Sequence, residues 1–235
     1  MTLPAGQRLL GFKLLLAGTV VAAVVFLDFP QIDIYFSRLF FEPSHGFVWR
    51  ENSLVLFSYY ANRYVTIATL VGLLSLLTVT ASKSRKIFAW DRKAYAYLLL
   101  VLVLGPGLLV NAVLKDHWGR ARPHDIRAFG GTREFTPALV ISNQCTRNCS
   151  FVSGHSSVLF YFASFGLLLR GRRKWIVIGS ATALGALVGL GRIVQGDHFL
   201  SDVVFSGLFV ALVARLLYWL FYECPQLQRS SKPPV

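Results

Sequence analysis

Apolar runs about as long as a bilayer is thick recur along this chain, and they leave few folds open. A membrane-crossing helix needs roughly 20 mostly apolar residues. Here hydrophobic residues make up 54% of 235 residues and charged ones only 15%. A water-soluble globule of this length would need more polar surface. The expectation is an all-α polytopic membrane protein, one membrane-embedded domain over 1–235, with no internal repeat.

Six spans are expected. The first is about Leu9 to Phe29, with no cleavage site after it, so it reads as a retained helix. An aromatic, amphipathic stretch from Pro30 to Asn52 is too short and polar to cross and is expected at the interface. The second span is about Ser53 to Thr80. The third, about Ala94 to Leu114, contains Gly105-Pro106-Gly107, where a kink is expected. A polar loop runs from Lys115 to Ser153. The fourth span is about Gly154 to Leu169, and the sixth about Phe199 to Tyr222. The fifth, about Trp175 to Leu190, is rich in Gly and Ala, as close helix packing requires. The tail, about 223–235, is polar and Pro-rich and reads as disordered.

The net charge of +13 does not point to nucleic acid, because most basic residues sit in short loops where topology explains them. No zinc-finger spacing, RNA-recognition motif or basic helix is present. With six spans, Arg8 and Lys13, the loop from Lys83 to Lys93, Arg170 to Lys174, and Arg229 and Lys232 fall on one side. The positive-inside rule makes that side cytoplasmic, with both termini on it. Three polar islands then meet on the opposite side: Lys115 to Pro123, Ser150 to Ser157, and Arg192 to Asp202.

Each island has a chemistry. Lys115 and Arg122 are seven apart, so a helical continuation would put both on one face, a mobile point charge and a planar fork for phosphate oxygens. Ser153 and Gly154 open a helix whose free amides form an anion site. His155 beside them can give a proton to a leaving oxygen. His198 and Asp202 are four apart and share a helix face. A carboxylate on one ring nitrogen leaves the other free to attack. An ionisable residue inside an apolar helix is functional by default. Cys145 and Cys149 in the outer loop are either a disulfide of an oxidising compartment or two free thiols. His117, His124 and Asp125 lack helical metal-ligand spacing and read as loop residues, so neither metal nor cofactor is expected.

The order Lys-x6-Arg-Pro, Ser-Gly-His, Arg-x5-His-x3-Asp resembles the type 2 phosphatidic acid phosphatase superfamily. The resemblance implies a lipid phosphatase. Lys115, Arg122 and Arg192 would bind phosphate, with Ser153 and Gly154 adding hydrogen bonds. His198 would be the nucleophile, Asp202 its orienting carboxylate, and His155 the acid and then the base. Val152 stands where the family has Pro, and Gly191 where it has Ser. Gly191 subtracts a phosphate contact but no charged group.

The loop from Phe129 to His155 is similar to that of bacterial lipid A phosphatases within the superfamily. Arg120, Arg127, Arg133 and Arg147 would suit a headgroup with more than one phosphate. The implied partner is a phosphorylated membrane lipid, reached at the periplasmic face of a bacterial inner membrane. Undecaprenyl pyrophosphate and phosphatidylglycerophosphate are the alternatives, as is phosphoryl transfer to another lipid. A transporter or catalytically dead binding protein is the reading from another class. Charge gathered at one surface rather than at mid-membrane speaks against transport. His155, His198 and Asp202 all being present speaks against a dead relative. Oligomeric state is not legible.

Overall fold

The computed structural model describes residues 5–83 and 86–224. The chain is mostly helical. It begins with α1 (Ala5–Asp28), the short α2 (Gln31–Arg38), a two-stranded hairpin of β1 (Phe41–Glu42) and β2 (Gly46–Phe47), and the long α3 (Ser53–Lys83). It continues through α4 (Arg92–Leu102), a π-helical stretch (Val103–Leu114) and α5 (Lys115–His117). After a long loop come α6 (Gly154–Tyr161), α7 (Ala163–Leu167), α8 (Gly171–Val194) and α9 (Leu200–Tyr218). The tail from 225 onward, with Arg229 and Lys232, and the loop residue Arg85 lie outside the described residues.

Among the described residues, five helical segments are long and apolar enough to cross a membrane: Leu10–Asp28, Ser53–Ser82, Arg92–His117, Gly171–Val194 and Leu200–Glu223. The expected fourth span is different. It divides at Phe162 into α6 and α7, of 8 and 5 residues, and at about 1.5 Å per residue neither reaches across roughly 30 Å of hydrocarbon. The pair packs inside the bundle against α8 and α9.

The stretch expected at the interface forms α2 and the hairpin, which pairs Phe41 with Phe47 and Glu42 with Gly46. Asp91 starts α4 by accepting from the Ala94 amide at 3.1 Å, a standard N-cap contact. At Pro106 the ladder loses a donor. The helix answers by widening into the π-helical stretch, and the Asn111 side chain donates to the Pro106 carbonyl at 2.7 Å.

Tyr97, Leu98, Val101, Phe151, Tyr161, Phe205 and Val210 form the core between α4, α6 and α9. A second cluster of Phe47, Ala121, Ile126, Phe129 and Phe199 lies under the long loop. In it, Phe41, Phe47 and Phe129 make mutual edge contacts at 5.1 to 5.4 Å, each worth about 0.5–1.5 kcal/mol beyond area burial.

The small residues of α8 act where they face neighbours. A Cβ at Gly185 would enter the Phe160 ring, and one at Gly189 would meet Val203 and stand 2.9 Å from Ser156 Oγ. Gly179 meets nothing. Gly189→Leu should therefore lower the thermal unfolding temperature of detergent-solubilised protein, an overpacking cost of about 1–3 kcal/mol. Gly179→Leu should leave it unchanged.

Candidate active site

The long loop is stitched to the end of the third crossing helix. Cys149 N–H donates to Lys115 O at 2.9 Å, Ser150 N–H to Arg120 O at 2.9 Å, and Ser142 N–H to Trp118 O at 2.9 Å. Cys145 and Cys149 are joined in a disulfide with their Cα atoms 5.7 Å apart. The short ring they close carries Arg147 and Asn148. Asn148 N–H is held by Asp116 Oδ1 at 3.0 Å. Its side-chain oxygen accepts from Lys115 Nζ at 2.9 Å, and its carbonyl from Arg122 Nη2 at 3.0 Å.

Lys115 and Arg122 thus meet, but not along a helix. The helix ends at α5, and Gly119, in the left-handed region at φ +69°, turns the chain so that Arg122 arrives from extended backbone.

A second turn delivers the histidine. Between α8 and α9, Gly196 takes φ +72°, and a Cβ there would land in the Phe47 ring. Its carbonyl accepts from the His124 amide at 3.0 Å. The turn sets Arg192, Asp197 and His198 toward one cleft. That cleft, of about 500 Å³, is lined by Lys115, Arg122, His155, Arg192, His198 and Arg147 among others.

His198 is buried, 1% exposed. One ring nitrogen, Nδ1, lies 2.7 Å from the Ser150 carbonyl, so it carries the proton and donates it there. Nε2 is left unprotonated. Asp202 Oδ2 stands 3.6 Å from Nδ1, too far for a hydrogen bond. Asp202 therefore acts on the ring through its charge, while the carbonyl sets the tautomer. Burial pushes the His198 imidazole down to about 4, against the pull of Asp202. His155 opens α6, stacked on Tyr59 at 4.6 Å, with its carbonyl accepting from Asn62 Nδ2 at 2.8 Å.

The cations of the cleft share one anion that sequence reasoning passed over. Asp197 pairs with Arg192 and stands 3.4 Å from Arg122 and 3.3 Å from His124. Burial would push its carboxyl up, but the His124 contact, Arg192 and Arg122 hold it well below the usual range. Gln195 also accepts from Arg192, and the Arg192 guanidinium lies over the Tyr59 ring at 4.7 Å. A Gly-Asp-His turn between two helices was the available signal for Asp197.

Several expected contacts fall elsewhere. Ser153 is fully buried behind the cleft. Its hydroxyl pairs with Ser156 Oγ at 2.9 Å, its amide donates to Asp202 O at 3.1 Å, and its carbonyl accepts from Ser206 at 2.8 Å. As the residue before α6 it is consumed by helix packing. Gly154 is also buried, and a Cβ there would stand 2.6 Å from Asn111 Oδ1 and 3.2 Å from Lys115 Cε. Its role is to let Lys115 pass.

The headgroup set divides. Arg147 lines the cleft. Arg127 is paired at the surface with Glu134 at 2.9 Å, and Arg133 is exposed outside the cleft. Arg120 corrects the expectation outright, because it is fully buried. It binds Asp33 at 2.8 Å and Asp202 at 2.5 Å, and donates to Ser201 Oγ at 2.8 Å and the Thr136 carbonyl at 2.9 Å. It lies over the Phe199 ring at 4.3 Å. Two buried carboxylates outcompete any lipid phosphate for it. Among the described residues no group of three or more His, Cys, Asp or Glu side chains converges as a metal site.

The PAP2 superfamily model matches residues 94–226, more than half of the chain and all three islands. The chain belongs to the PAP2 superfamily. It is 38% identical over 208 residues to the lipid A 4'-phosphatase of Francisella tularensis subsp. novicida, covering 86% of this chain and 91% of that protein. It is 32% identical over 223 residues to the lipid A 4'-phosphatase of Rhizobium leguminosarum, covering 88% and 94%. Phosphatidylglycerophosphatase B of Bacillus subtilis is 33% identical over 120 residues, 48% of this chain and 52% of that protein. No solved structure matches the chain significantly. The superfamily resemblance drawn from the three motifs is borne out.

Asn148 holds two of the cleft's cations at once. Asn148→Ala should lower kcat/KM for phosphate release by about 5- to 30-fold, from the loss of about 1–2 kcal/mol of charge-assisted hydrogen bonding, with the protein still folded by gel filtration.

Proposed function

We propose that this chain removes a phosphate from lipid A, in the 4'-phosphatase manner of its longest-matching relatives, through a phosphohistidine on His198. That it is a membrane-embedded lipid phosphatase follows from its superfamily, its relatives and its apolar helices. The finer reading is carried by one observation: His198 spends its proton on the Ser150 carbonyl, and its other nitrogen is left for a cleft ringed by Lys115, Arg122 and Arg192.

In this reading Nε2 attacks phosphorus in line. The ester oxygen leaves with the bonding electrons and takes a proton from His155; burial and the cleft's cations hold that ring down at about 3, so it takes its proton up from water once the phosphate's negative charge sits beside it. The three cations stabilise charge on the equatorial oxygens, where phosphoryl transfer needs it. His155 then accepts a proton from water, which attacks phosphorus and frees His198. Near-complete overlap with two lipid A 4'-phosphatases supports lipid A as substrate. Arg147 at the mouth supports a headgroup with further negative charge.

We further infer that the cleft faces the periplasm from the inner membrane. A disulfide in its loop fits an oxidising compartment. The basic segments Lys86 to Lys93 and Arg170 to Lys174 sit at the far ends of their helices. Gly154 starts beside the cleft and α8 returns Arg192 to it, which supports α6 and α7 together as a sixth pass.

Detergent-purified protein should release phosphate from lipid A with a chelator present, ahead of undecaprenyl pyrophosphate, phosphatidylglycerophosphate and phosphatidic acid. His198→Ala should lose about 10³-fold or more. Folded protein releasing nothing from any of the four would sink hydrolysis and favour transfer to a second lipid.

The pH profile gives a separate check. Nucleophilic attack needs neutral His198, and its depressed pKa keeps it neutral on acidification. The acid limb of kcat/KM should therefore fall near pH 4, and a limb at the ordinary histidine value of about 6.5 would contradict the burial of this ring.

A further inference from the structure

We propose that Asp33, on α2 and absent from all three motifs, is a positioning residue for the reaction: it shares Arg120 with Asp202 and so leaves His198 beside a network of net negative charge. The inference rests on His198 being the nucleophile. Asp33, Arg120, Ser201 and Asp202 are all fully buried, so water does not mediate among them.

Donor counting fixes the charges. Asp33 Oδ1 accepts from Ser201 N at 2.8 Å, and Oδ2 accepts from Arg120 at 2.8 Å and Ser201 Oγ at 2.5 Å. Ser201 Oγ itself accepts from Arg120, so its single proton goes to Asp33. Asp202 Oδ1 accepts from Arg120, and Oδ2 accepts from Ser150 Oγ at 2.5 Å and Phe199 N at 2.8 Å. Every contact of both carboxylates is with a donor, which is the pattern of two ionised groups; burial and the neighbouring Asp202 push the Asp33 carboxyl up, and the charge of Arg120 with the hydrogen bonds from Ser201 and Arg120 works against that push. Two carboxylates against one guanidinium leave one unit of negative charge.

That residual charge has a use at the ring. When the Nε2 lone pair forms the N–P bond, the ester P–O bond breaks and its electrons leave with the oxygen, which takes its proton from His155. The proton stays on Nδ1, donated in a hydrogen bond to the Ser150 carbonyl, so the imidazole gains positive charge as the bond forms. A lone Arg120–Asp202 pair would be neutral and offer that charge little. With Asp33 drawing on the same guanidinium, Asp202 keeps its field on the ring 3.6 Å away. In a buried, low-dielectric site that difference is felt strongly.

The test is Asp33→Asn, nearly isosteric but uncharged, assayed on lipid A beside wild type and His198→Ala. The groups facing His198 across the cleft are Lys115, Arg122, His155, Arg192 and Asp197, with Asp202 behind it, and the variant changes none of them. Expected are a fall in kcat of about 10- to 100-fold, the range for outer partners of a reacting group, a KM within a few-fold of wild type, and an acid limb moved to lower pH.

The double variant Asp33→Asn/Arg120→Gln again leaves one negative charge. It should regain kcat and return the limb toward wild type, and it serves as the test if the single variant does not fold. A purely structural Asp33 would lower the yield of folded protein with kcat and limb unchanged, or would show no recovery in the double variant; either result overturns the proposal. Activity surviving in His198→Ala overturns the phosphohistidine reading and this inference together. Turnover that needs His198 but ignores Asp33→Asn overturns this inference alone.

Discussion

A guanidinium with no access to water sits at the centre of this molecule. Removing such a charge from water costs several kcal/mol even after relaxation, and Arg120 is kept there by four protein partners. They come from separate pieces of chain: Asp33 from α2, Thr136 from the long loop, and Ser201 and Asp202 from α9. The same segments also meet through apolar packing, Ile34, Phe135 and Phe199 in one cluster, and the ion network adds a fixed direction to that contact. Taking Arg120 away would leave two carboxylates uncompensated in the interior, so the arrangement constrains position more than it adds stability. The first turn of α9, α2 and the long loop are thereby locked to one origin, and His198 stands beside it.

Around that origin the scaffold is ordinary membrane packing. Gly185 and Gly189 bring α8 against α6 and α9, and the aromatic cluster of Phe41, Phe47 and Phe129 seats the hairpin under the long loop. The groups that line the cleft come from turns and helix ends. Lys115 ends one crossing helix, His155 opens a short buried one, Arg192 ends another, and His198 precedes the last.

The crossing helices were legible because hydropathy acts over whole windows, and the windows here are long. The split of the expected fourth span was not. Its length is read as a sum, while the break at Phe162 depends on what surrounds it. His198, His155, Lys115, Arg122 and Arg192 were legible as polar residues that an apolar chain would otherwise exclude.

Arg120 was misread for the same reason. It looks like its basic neighbours until Asp33, far away in sequence, is seen to reach it. Ser153 was assigned to the ligand, yet helix packing uses all of its polar atoms. Asp197 and Asn148 went unnoticed because nothing local distinguishes an acid or amide that faces cations from one that faces solvent.

Asp197 gives the cleft a property that a ring of bare cations would lack. Arg192 and Arg122 already have an anion at hand, so in the proposed reaction an arriving phosphate would enter by exchange, and the same carboxylate would reclaim the guanidinium groups when inorganic phosphate departs. Tight grip and quick release are opposed in any anion site, and a tethered competitor softens that opposition. In that reading Asp197 is a displacing ion tethered inside the cleft.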